Sequence, residues 1–400
     1  MISSRALELQ PSATLKITGR AKELQREGKS IISLSAGEPD FPTPTFICDG
    51  AVEAIRNGEH GYTMNTGTPE LRDAICTKLK RDNDLDYSPD QIVCSNGAKQ
   101  SVGFSLLAMI NPGDEVIIPA PYWVSYPAMT RLAQGIPVPV RTSFEDSYRL
   151  TPKQLEVAIT DKTRVLILCS PSNPTGSCYS KKDLERLANI LRKHPNVSII
   201  SDEIYEYIVF DDKHISLLNV APDLKDRVAL INGFSKGFAM TGWRLGYLAG
   251  PKELVKAVAK IQSQETSAPS SISQAAGLAA YSGTLDKVLE MRASFKKRRN
   301  FMVEQLNNIE GVSCFSPGGA FYVFPDISSY LNSTTPLGKP VQSSTDLCLY
   351  LLDEAGLALV PGDAFGEPNG LRMSYAAGMD DLVEAMNRFK HGLSSLILIK

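Results

Sequence analysis

The chain has 400 residues, of which 43% are hydrophobic and 22% are charged, a balance typical of folded globular proteins. It excludes a disordered, collagen-like or fibrous chain. The 42 Lys and Arg residues are matched by 44 Asp and Glu residues, so the net charge of −2 indicates no general binding of nucleic acid or of a membrane surface, and no apolar run has the length of a membrane span.

The amino-terminal sequence, the cysteines and the histidines bear on location and metal binding. The first residues contain no apolar stretch with a small-residue cleavage site, so we expect no secretory signal and a cytoplasmic protein. The seven cysteines are scattered without a C-x-x-C motif, as expected of reduced thiols. The four histidines form no i, i+4 pair, and we therefore predict no metal site.

Residues 1–45 are predicted to contain one helix and a Pro-rich turn at 38–44. The following segment, 46–285, alternates helix-like stretches, such as 180–192 with Ser180 as its N-cap, with strand-like ones. The strand-like stretches are short, β-branched and without polar alternation, as expected of strands buried on both faces of a parallel sheet, and they begin at Glu115, Arg164, Val197 and Val228. We therefore predict an α/β fold, in which residues 46–285 form a large domain with helices flanking a mostly parallel sheet.

The carboxyl-terminal part has a different pattern. A polar stretch at 332–340 is predicted to be a loop. We expect residues 286–400, together with 1–45, to form a smaller α+β domain. Its predicted elements are a long charged helix at 287–307, short strands at 320–324 and 371–375, and a last helix at 380–393.

Polar residues follow three of the predicted strands, in segments 170–176, 201–205 and 232–246. In open α/β sheets, ligands bind at the carboxyl ends of the strands, so we expect these segments to face one crevice. Lys236 lies just after a strand, where a desolvated amine could form a Schiff base, and Ser235 and Arg244 suit a phosphate group. Taken alone, Lys236 would be an exposed lysine in a glycine loop, and the spacing of the whole run is what favours a ligand site.

Asp202 ends an apolar strand, and a carboxylate buried there needs a cationic partner. The protonated pyridine nitrogen of pyridoxal phosphate is such a partner, although an N-cap is the alternative. Tyr205 lies three residues on and would share a helical face with Asp202. Tyr205 and Asn173 could both bond the phenolic oxygen of that cofactor, while Asn173 could instead be a turn residue before Pro174.

The segments Asn173-Pro-x-Gly, Asp202-x-x-Tyr and Ser235-Lys-x-Phe-x-Met-x-Gly-x-Arg-x-Gly resemble those of fold-type I pyridoxal-phosphate aminotransferases. The resemblance covers essentially the whole chain and is to the bacterial branch of aspartate and prephenate aminotransferases. It implies that Lys236 forms the Schiff base with the cofactor and carries the proton between the substrate carbon and the cofactor carbon during the reaction. It also implies a homodimer with shared sites, in which Tyr62 reaches the phosphate of the neighbouring subunit.

The resemblance implies further contacts with the cofactor and the substrate. Trp123 would stack on the cofactor ring, the turn from Gly97 would hold its phosphate, and Arg372, assisted by the Gly37 backbone, would bind the substrate α-carboxylate. The implied cofactor-binding residues are Tyr62, Gly97, Ala98, Lys99, Trp123, Asn173, Asp202, Tyr205, Ser235, Lys236 and Arg244. The implied substrate-binding residues are Thr14, Gly37, Lys99, Trp123, Asn173 and Arg372, with Lys236, Asp202 and Tyr205 as the catalytic set.

A dicarboxylate substrate needs a second cation, for which Lys99 is the first candidate and Lys16 and Arg20 are the alternatives. Thr14 with Lys99 resembles the version that acts on prephenate as well as oxaloacetate, although Gln10 stands where other prephenate-active relatives carry lysine. The implied reaction is ping-pong transfer of the amino group between aspartate or glutamate and oxaloacetate or 2-oxoglutarate. It also includes transfer of the amino group from aspartate or glutamate to prephenate, which gives arogenate.

Four other functions are weighed against this one. An aromatic or kynurenine-type aminotransferase, or a lyase, would use the same fold and cofactor. A regulator that kept the cofactor fold would usually add a DNA-binding domain, for which we see neither a spare segment nor a basic patch. A Rossmann-type dehydrogenase is disfavoured because no G-x-G-x-x-G motif follows a strand.

Overall fold

The computed structural model describes residues 2–3, 6–7, 9 and 13–398, with side chains from residue 17 onward in the last segment. Its central feature is a seven-stranded sheet in the order β2-β8-β7-β6-β5-β3-β4. Strand β8 is antiparallel to both neighbours and the other pairs are parallel. The strands are β2 (Ile92–Ser95), β3 (Glu115–Ala120), β4 (Ile136–Arg141), β5 (Thr163–Cys169), β6 (Ser198–Asp202), β7 (Val228–Gly233) and β8 (Gly246–Ala249).

The central strands are buried on both faces of this sheet, as their sequences predict. Successive residues of a strand point to opposite faces, so neighbours in β5 and β6 enter different hydrophobic cores. Leu166 and Ile199 lie in one core, whereas Ile167 and Ile200 lie in the other. A strand between two hydrophobic cores therefore needs apolar residues on both of its faces. The strands β3, β5, β6 and β7 have this pattern and lie within one residue of where they are predicted.

Helices cover both faces of the sheet and also build the smaller part of the molecule. The predicted helix at 180–192 is observed as Lys181–Lys193, and the Ser180 side chain accepts a hydrogen bond from the Asp183 backbone amide, as an N-cap does. The α-helices span Ala13–Arg26, Thr45–Arg56, Pro69–Asn83, Ala98–Met109, Ser125–Leu132, Pro152–Ala158, Lys181–Lys193, Leu217–Val220, Lys252–Glu265, Ser271–Ser282, Asp286–Asn307, Ser344–Ala355 and Met379–Ser394. Short 3-10 helices lie at Pro89–Gln91, Pro222–Arg227, Ser328–Tyr330 and Gly362–Phe365.

The two ends of the chain meet in three small sheets around a separate hydrophobic core. Strand β1 pairs in parallel with β12, and antiparallel sheets form in the orders β13-β14-β9 and β11-β10-β15. The bounds are β1 (Ile32–Ser33), β9 (Tyr322–Val323), β10 (Ser333–Thr334), β11 (Pro340–Val341), β12 (Leu357–Ala358), β13 (Val360–Pro361), β14 (Leu371–Ser374) and β15 (Ile397–Leu398). The predicted α/β class with a smaller α+β part is confirmed, while the division near residues 45 and 285 stays a prediction.

One predicted loop is more ordered than expected. The polar stretch 332–340 is mostly a turn, but it contains strand β10 and ends at the first residue of β11, and Ser333 lies opposite both Val341 and Leu398. The partner strand β15 comes from the far end of the described chain, so the local polarity of the stretch gave no sign of it. None of the described helices combines the length and the apolar character that crossing a membrane requires.

Candidate active site

A cavity of about 260 Å³ lies at the carboxyl ends of the central strands. The loops after β2, β3, β5, β6 and β7 each bring a predicted site residue to it, as the rule for open α/β sheets expects. The chain ends add Gly37 and Arg372 from the smaller part. The predicted residues that line it are Gly37, Ala98, Lys99, Trp123, Asn173, Asp202, Tyr205, Ser235, Lys236, Arg244 and Arg372.

Lys236 projects into this cavity from the loop after β7. Its Nζ donates a hydrogen bond to the Gly37 carbonyl oxygen at 2.6 Å. Burial of the amine lowers the pKa of Lys236 to about 8, because desolvation disfavours the charged form. A substantial fraction of this amine is therefore neutral near pH 8 and available as a nucleophile or a base.

Asp202, the last residue of β6, is buried with a side chain that faces the cavity. One of its oxygens accepts a hydrogen bond from the Tyr126 hydroxyl at 2.6 Å, and the other accepts one from the Ile204 backbone amide at 3.3 Å. Burial raises the pKa of Asp202 to about 6, and the hydrogen bond from Tyr126 works against that rise. Among the described side chains no cation forms an ion pair with Asp202, so it can accept a cationic N–H group from a ligand.

A cradle for a phosphate lies where the helix Ala98–Met109 begins. Gly97 has φ of +85°, and a Cβ there would lie 2.6 Å from Arg244 Nη2, so the position requires glycine. A Cβ on Gly246 would collide with the Ala98 backbone nitrogen. The helix amino terminus, the buried Ser235 and the Arg244 guanidinium thus surround a space that suits an anion.

Arg372, on β14, is buried beside this cavity rather than exposed at the surface. Its Nη1 donates to Asn173 Oδ1 at 2.9 Å and its Nη2 donates to the Ser35 carbonyl oxygen at 2.7 Å, while its Nε has no partner among the described residues. The side-chain oxygen of Asn173 therefore accepts a hydrogen bond from Arg372, and its side-chain N–H groups can donate to a ligand. The Tyr205 and Tyr322 hydroxyl groups share a hydrogen bond of 2.9 Å on the same side.

Comparison with known proteins agrees with this geometry. The family model described as aminotransferase class I and II matches residues 29–388. This chain belongs to that family. Over 399 residues it is 50% identical to the bifunctional aspartate aminotransferase and glutamate/aspartate-prephenate aminotransferase of Petunia hybrida, covering 99% of this chain and 83% of that protein.

Two further relatives match this aminotransferase over almost their whole length. The aspartate/prephenate aminotransferase of Nitrosomonas europaea is 46% identical over 396 residues, covering 98% of this chain and all of that protein (100%). The crystal structure of the aspartate aminotransferase from Rhizobium meliloti superposes with a TM-score of 0.96 at 45% identity, covering 99% of both chains. These matches confirm the predicted family, fold class and enzyme class.

Lys99 and Trp123 form one wall of the aminotransferase cavity. The Lys99 Nζ lies 5.3 Å from the centroid of the Trp123 ring. Partial burial and the charge of Arg244 lower the pKa of Lys99. Because its amine stands at the cavity without a carboxylate partner among the described side chains, Lys99 can meet an anionic group of a ligand.

The structure does not bring every predicted residue to this cavity. Tyr62 is fully exposed, at 101% of its reference area, and does not line the cavity of its own chain. Arg20 is exposed and pairs with Glu23 at 3.4 Å, also away from the cavity. The side chains of Thr14 and Lys16 lie outside the described residues, and so does the whole of Gln10.

The sequence reasoning missed Tyr126 and Tyr322 as site residues. Tyr126 follows Trp123 by three residues and turns inward at the start of the helix Ser125–Leu132, so its spacing from a predicted ring-stacking residue was the available signal. Tyr322 ends the segment Gly-Gly-Ala-Phe-Tyr at 318–322, and nothing local indicates its contact with Tyr205.

A buried polar cluster supports the turn that carries Asp202 and Tyr205. Glu203 bonds His214 Nε2 at 2.7 Å, and the Lys78 ammonium group donates to Glu206. Burial opposes protonation of His214, but the negative charge of Glu203 raises the pKa of His214 overall. Glu203, Glu206 and His214 lie close enough together to bind a metal, which the spacing of the histidines did not indicate. Glu206 is already paired with the Lys78 ammonium group and Glu203 with His214, so the cluster is not assigned as a metal site.

Proposed function

We propose that this aminotransferase binds pyridoxal 5′-phosphate and transfers the amino group between aspartate or glutamate and a 2-oxo acid such as oxaloacetate or 2-oxoglutarate. We include prephenate among the acceptors. One observation carries the proposal: a single cavity holds the Asp202 carboxylate, which has no cationic partner among the described side chains, and the Lys236 amine, whose pKa is lowered. The names of the relatives from Petunia hybrida and Nitrosomonas europaea support the substrates.

The residues present fit the cofactor at both of its ends. Asp202 would accept the pyridine N–H, and the cradle formed by Gly97, Ser235 and Arg244 would hold the phosphate. Trp123 would cover the ring, and Tyr205 and Asn173 would donate to its phenolic oxygen. When bound, pyridoxal phosphate supplies an electron sink for the carbon that bears the amino group.

The chain's own residues provide the proton transfer and orient the substrate. The Lys236 amine, held toward Gly37, removes the proton from the substrate Cα as a general base and returns it to the acceptor carbon. The Arg372 fork binds the α-carboxylate, which orients the Cα–H bond toward Lys236. Its unpartnered Nε and its burial make Arg372 better suited to a ligand than to the fold itself.

Lys99 is our candidate for reading the second carboxylate of a dicarboxylic substrate. It lines the cavity on the side of Trp123, whereas Arg20 is already paired with Glu23. Thr14 lies in the helix Ala13–Arg26 and stays a proposed substrate contact on the family resemblance alone.

We also propose a homodimer in which Tyr62 contacts the phosphate bound by the partner. A fully exposed tyrosine at the end of a firmly held loop supports this. Buried Gln274 bonds Thr63 Oγ1 at 2.9 Å and the Thr68 amide at 2.7 Å, and buried Gln262 bonds the Asn65 carbonyl at 2.7 Å. A cytoplasmic location fits the seven cysteines, all of which are free thiols.

The visible spectrum of the purified protein tests this proposal. A yellow band that bleaches with excess L-aspartate and returns with oxaloacetate is the expected result, and prephenate is then tested as the restoring acceptor. A band that does not respond to either partner contradicts the proposed substrates. Release of ammonia without recovery of the band would favour a lyase instead.

A further inference from the structure

Residues 35–43, which we name the strap, connect the smaller part of the molecule to the loop that carries Lys236. At one end, the Ser35 carbonyl oxygen accepts a hydrogen bond from Arg372 at 2.7 Å. At the other end, the Thr43 hydroxyl donates to the Ala239 carbonyl at 2.8 Å. Between these ends, Gly37 accepts the hydrogen bond from Lys236. The strap therefore touches both the general base and the proposed carboxylate-binding arginine.

A single ion pair fixes the middle of the strap. Both oxygens of Asp40 accept hydrogen bonds from Arg298, at 2.7 and 2.9 Å, and the Arg298 side chain is only 12% exposed. The guanidinium carbon lies 5.1 Å from the ring centroid of Phe41 and 5.6 Å from that of Phe295. A planar fork held between two rings fixes direction as well as distance, unlike a flexible surface ion pair.

The same helix, Asp286–Asn307, provides a comparison. Lys296 pairs with Asp211 at 2.8 Å, but its side chain is 43% exposed and Asp211 is 56% exposed. That pair is typical of surface ion pairs, which contribute little. The contrast indicates that the Asp40–Arg298 pair is built to hold a position.

We propose that Asp40 and Arg298 are positioning residues for substrate binding. Their ion pair holds the strap so that the Gly37 main chain and the Arg372 fork face the same carboxylate group. The inference rests on the proposed function, because it assumes that Arg372 binds the α-carboxylate of an amino acid.

The geometry shows why the strap must be held closely. A Cβ on Gly37 would lie 3.0 Å from the Tyr322 hydroxyl, so the backbone approaches the cavity at a point without spare room. If the Asp40–Arg298 fork is lost, the middle of the strap loses its only ion pair among the described residues and keeps the hydrogen bonds of Gly37 with Lys236 and of Glu38 with Thr241. Displacements of about 1 Å at such a site can lower rates or binding severalfold.

This role predicts a loss of substrate affinity that is the same whatever the side chain of the substrate. Every amino acid carries the α-carboxylate, so weakening its site raises the KM for all donors, whereas Lys99 would affect only dicarboxylates. The kcat should change less than the KM, because the pair reaches the Lys236 amine only through the Gly37 carbonyl of the strap. The visible band of the cofactor should not change, because the pair does not touch the cofactor cradle.

The test uses the cofactor-loaded enzyme and the variants Arg298→Gln, Asp40→Asn and their combination. We measure the KM for L-aspartate, and calorimetric dissociation constants for maleate, a dicarboxylate, and 3-phenylpropionate, a monocarboxylate. Each single variant should raise all three constants by about five- to tenfold, with a smaller change in kcat and an unchanged visible band. The double variant should have constants no higher than those of either single variant. Arg298→Lys should lie between the wild type and Arg298→Gln in all three constants, because lysine keeps the charge but lacks the planar fork.

Lys296→Gln on the same helix removes a charge without touching the strap and serves as the matched control. A lower melting temperature with unchanged constants would make the pair merely structural and overturn the inference, as would additive losses in the double variant. Arg372→Lys separates the two proposals. If it raises the constants and Arg298→Gln does not, the positioning role is wrong while the carboxylate site stands; if neither raises them, the carboxylate site itself is wrong.

Discussion

Replacing Tyr126 with phenylalanine removes one hydroxyl group from beneath the proposed pyridine site. In the protein this hydroxyl donates to Asp202 at 2.6 Å, and both side chains are buried. A hydrogen bond to a buried charged group contributes about 1.5–3 kcal/mol, which corresponds to about one to two pKa units. Tyr126→Phe should therefore raise the pKa of Asp202 from about 6 to about 7–8.

The expected loss of cofactor affinity follows from the ionised fraction of Asp202. At pH 7 that fraction is about 90% in the wild-type protein without cofactor, and it falls to about 10–50% in the variant. If the cofactor binds only the ionised carboxyl group, its dissociation constant rises about two- to tenfold at pH 7. At pH 9 the carboxyl group is ionised in both proteins, so the two dissociation constants should converge.

Tryptophan fluorescence gives the assay, because Trp123 lines the cavity and only two tryptophans are present. Pyridoxal phosphate is titrated into the cofactor-free proteins at pH 7 and pH 9. Tyr350→Phe is the matched control, since its hydroxyl donates to the Gly392 carbonyl at 3.1 Å, outside the cavity. A wild-type to variant ratio that stays constant between pH 7 and pH 9 would refute the assigned role of the Asp202 charge.

Three further predictions concern single side chains. Lys236→Ala should abolish the visible band of the cofactor while far-ultraviolet circular dichroism stays unchanged, and a retained band would show that another amine holds the cofactor. Lys99→Ala should raise the KM for dicarboxylic acceptors more than for monocarboxylic ones in steady-state assays, and equal losses would place the second cation elsewhere. Because Glu203 raises the pKa of His214, the positive charge of protonated His214 stabilises the fold below about pH 6.5. This contribution is lost as the pH rises through the raised pKa of His214. Denaturant unfolding of the cofactor-free protein should record that decline, and His214→Asn should remove it; a pH profile identical to the wild type would contradict the assignment.

Local sequence patterns were sufficient to predict four of the seven strands of the central sheet, β3, β5, β6 and β7, and the polar residues at the ends of three of them. Strands such as β5 and β6 are apolar throughout because both faces are covered, and this is visible without knowledge of their partners. Asp202 is the last residue of β6 and Lys236 lies three residues after the end of β7, so the rule for open α/β sheets brings them to one edge. The roles of Lys99 and Tyr62, by contrast, come only from the family resemblance.

Contacts between distant segments could not be predicted in the same way. The hairpin of β10 and β11 depends on β15, and the Asp40–Arg298 pair joins residues 258 positions apart. Tyr126 has no polar neighbour in sequence that marks it as a partner of Asp202. Each of these contacts joins segments that lie far apart in the chain, and no short pattern encodes which distant segments meet.

The cavity combines groups that a fold built only for stability would avoid. Asp202 and Arg372 are buried, and Lys236 has lost enough solvation to lower its pKa, yet no ion pair joins any two of them among the described residues. Removing a charge from water without a compensating partner destabilises the folded state. A ligand with a cationic N–H for Asp202 and a carboxylate for Arg372 would satisfy these groups together. The residues that lower the stability of the protein without ligand are therefore the ones that make binding specific. This is expected where side chains serve ligand binding rather than core packing.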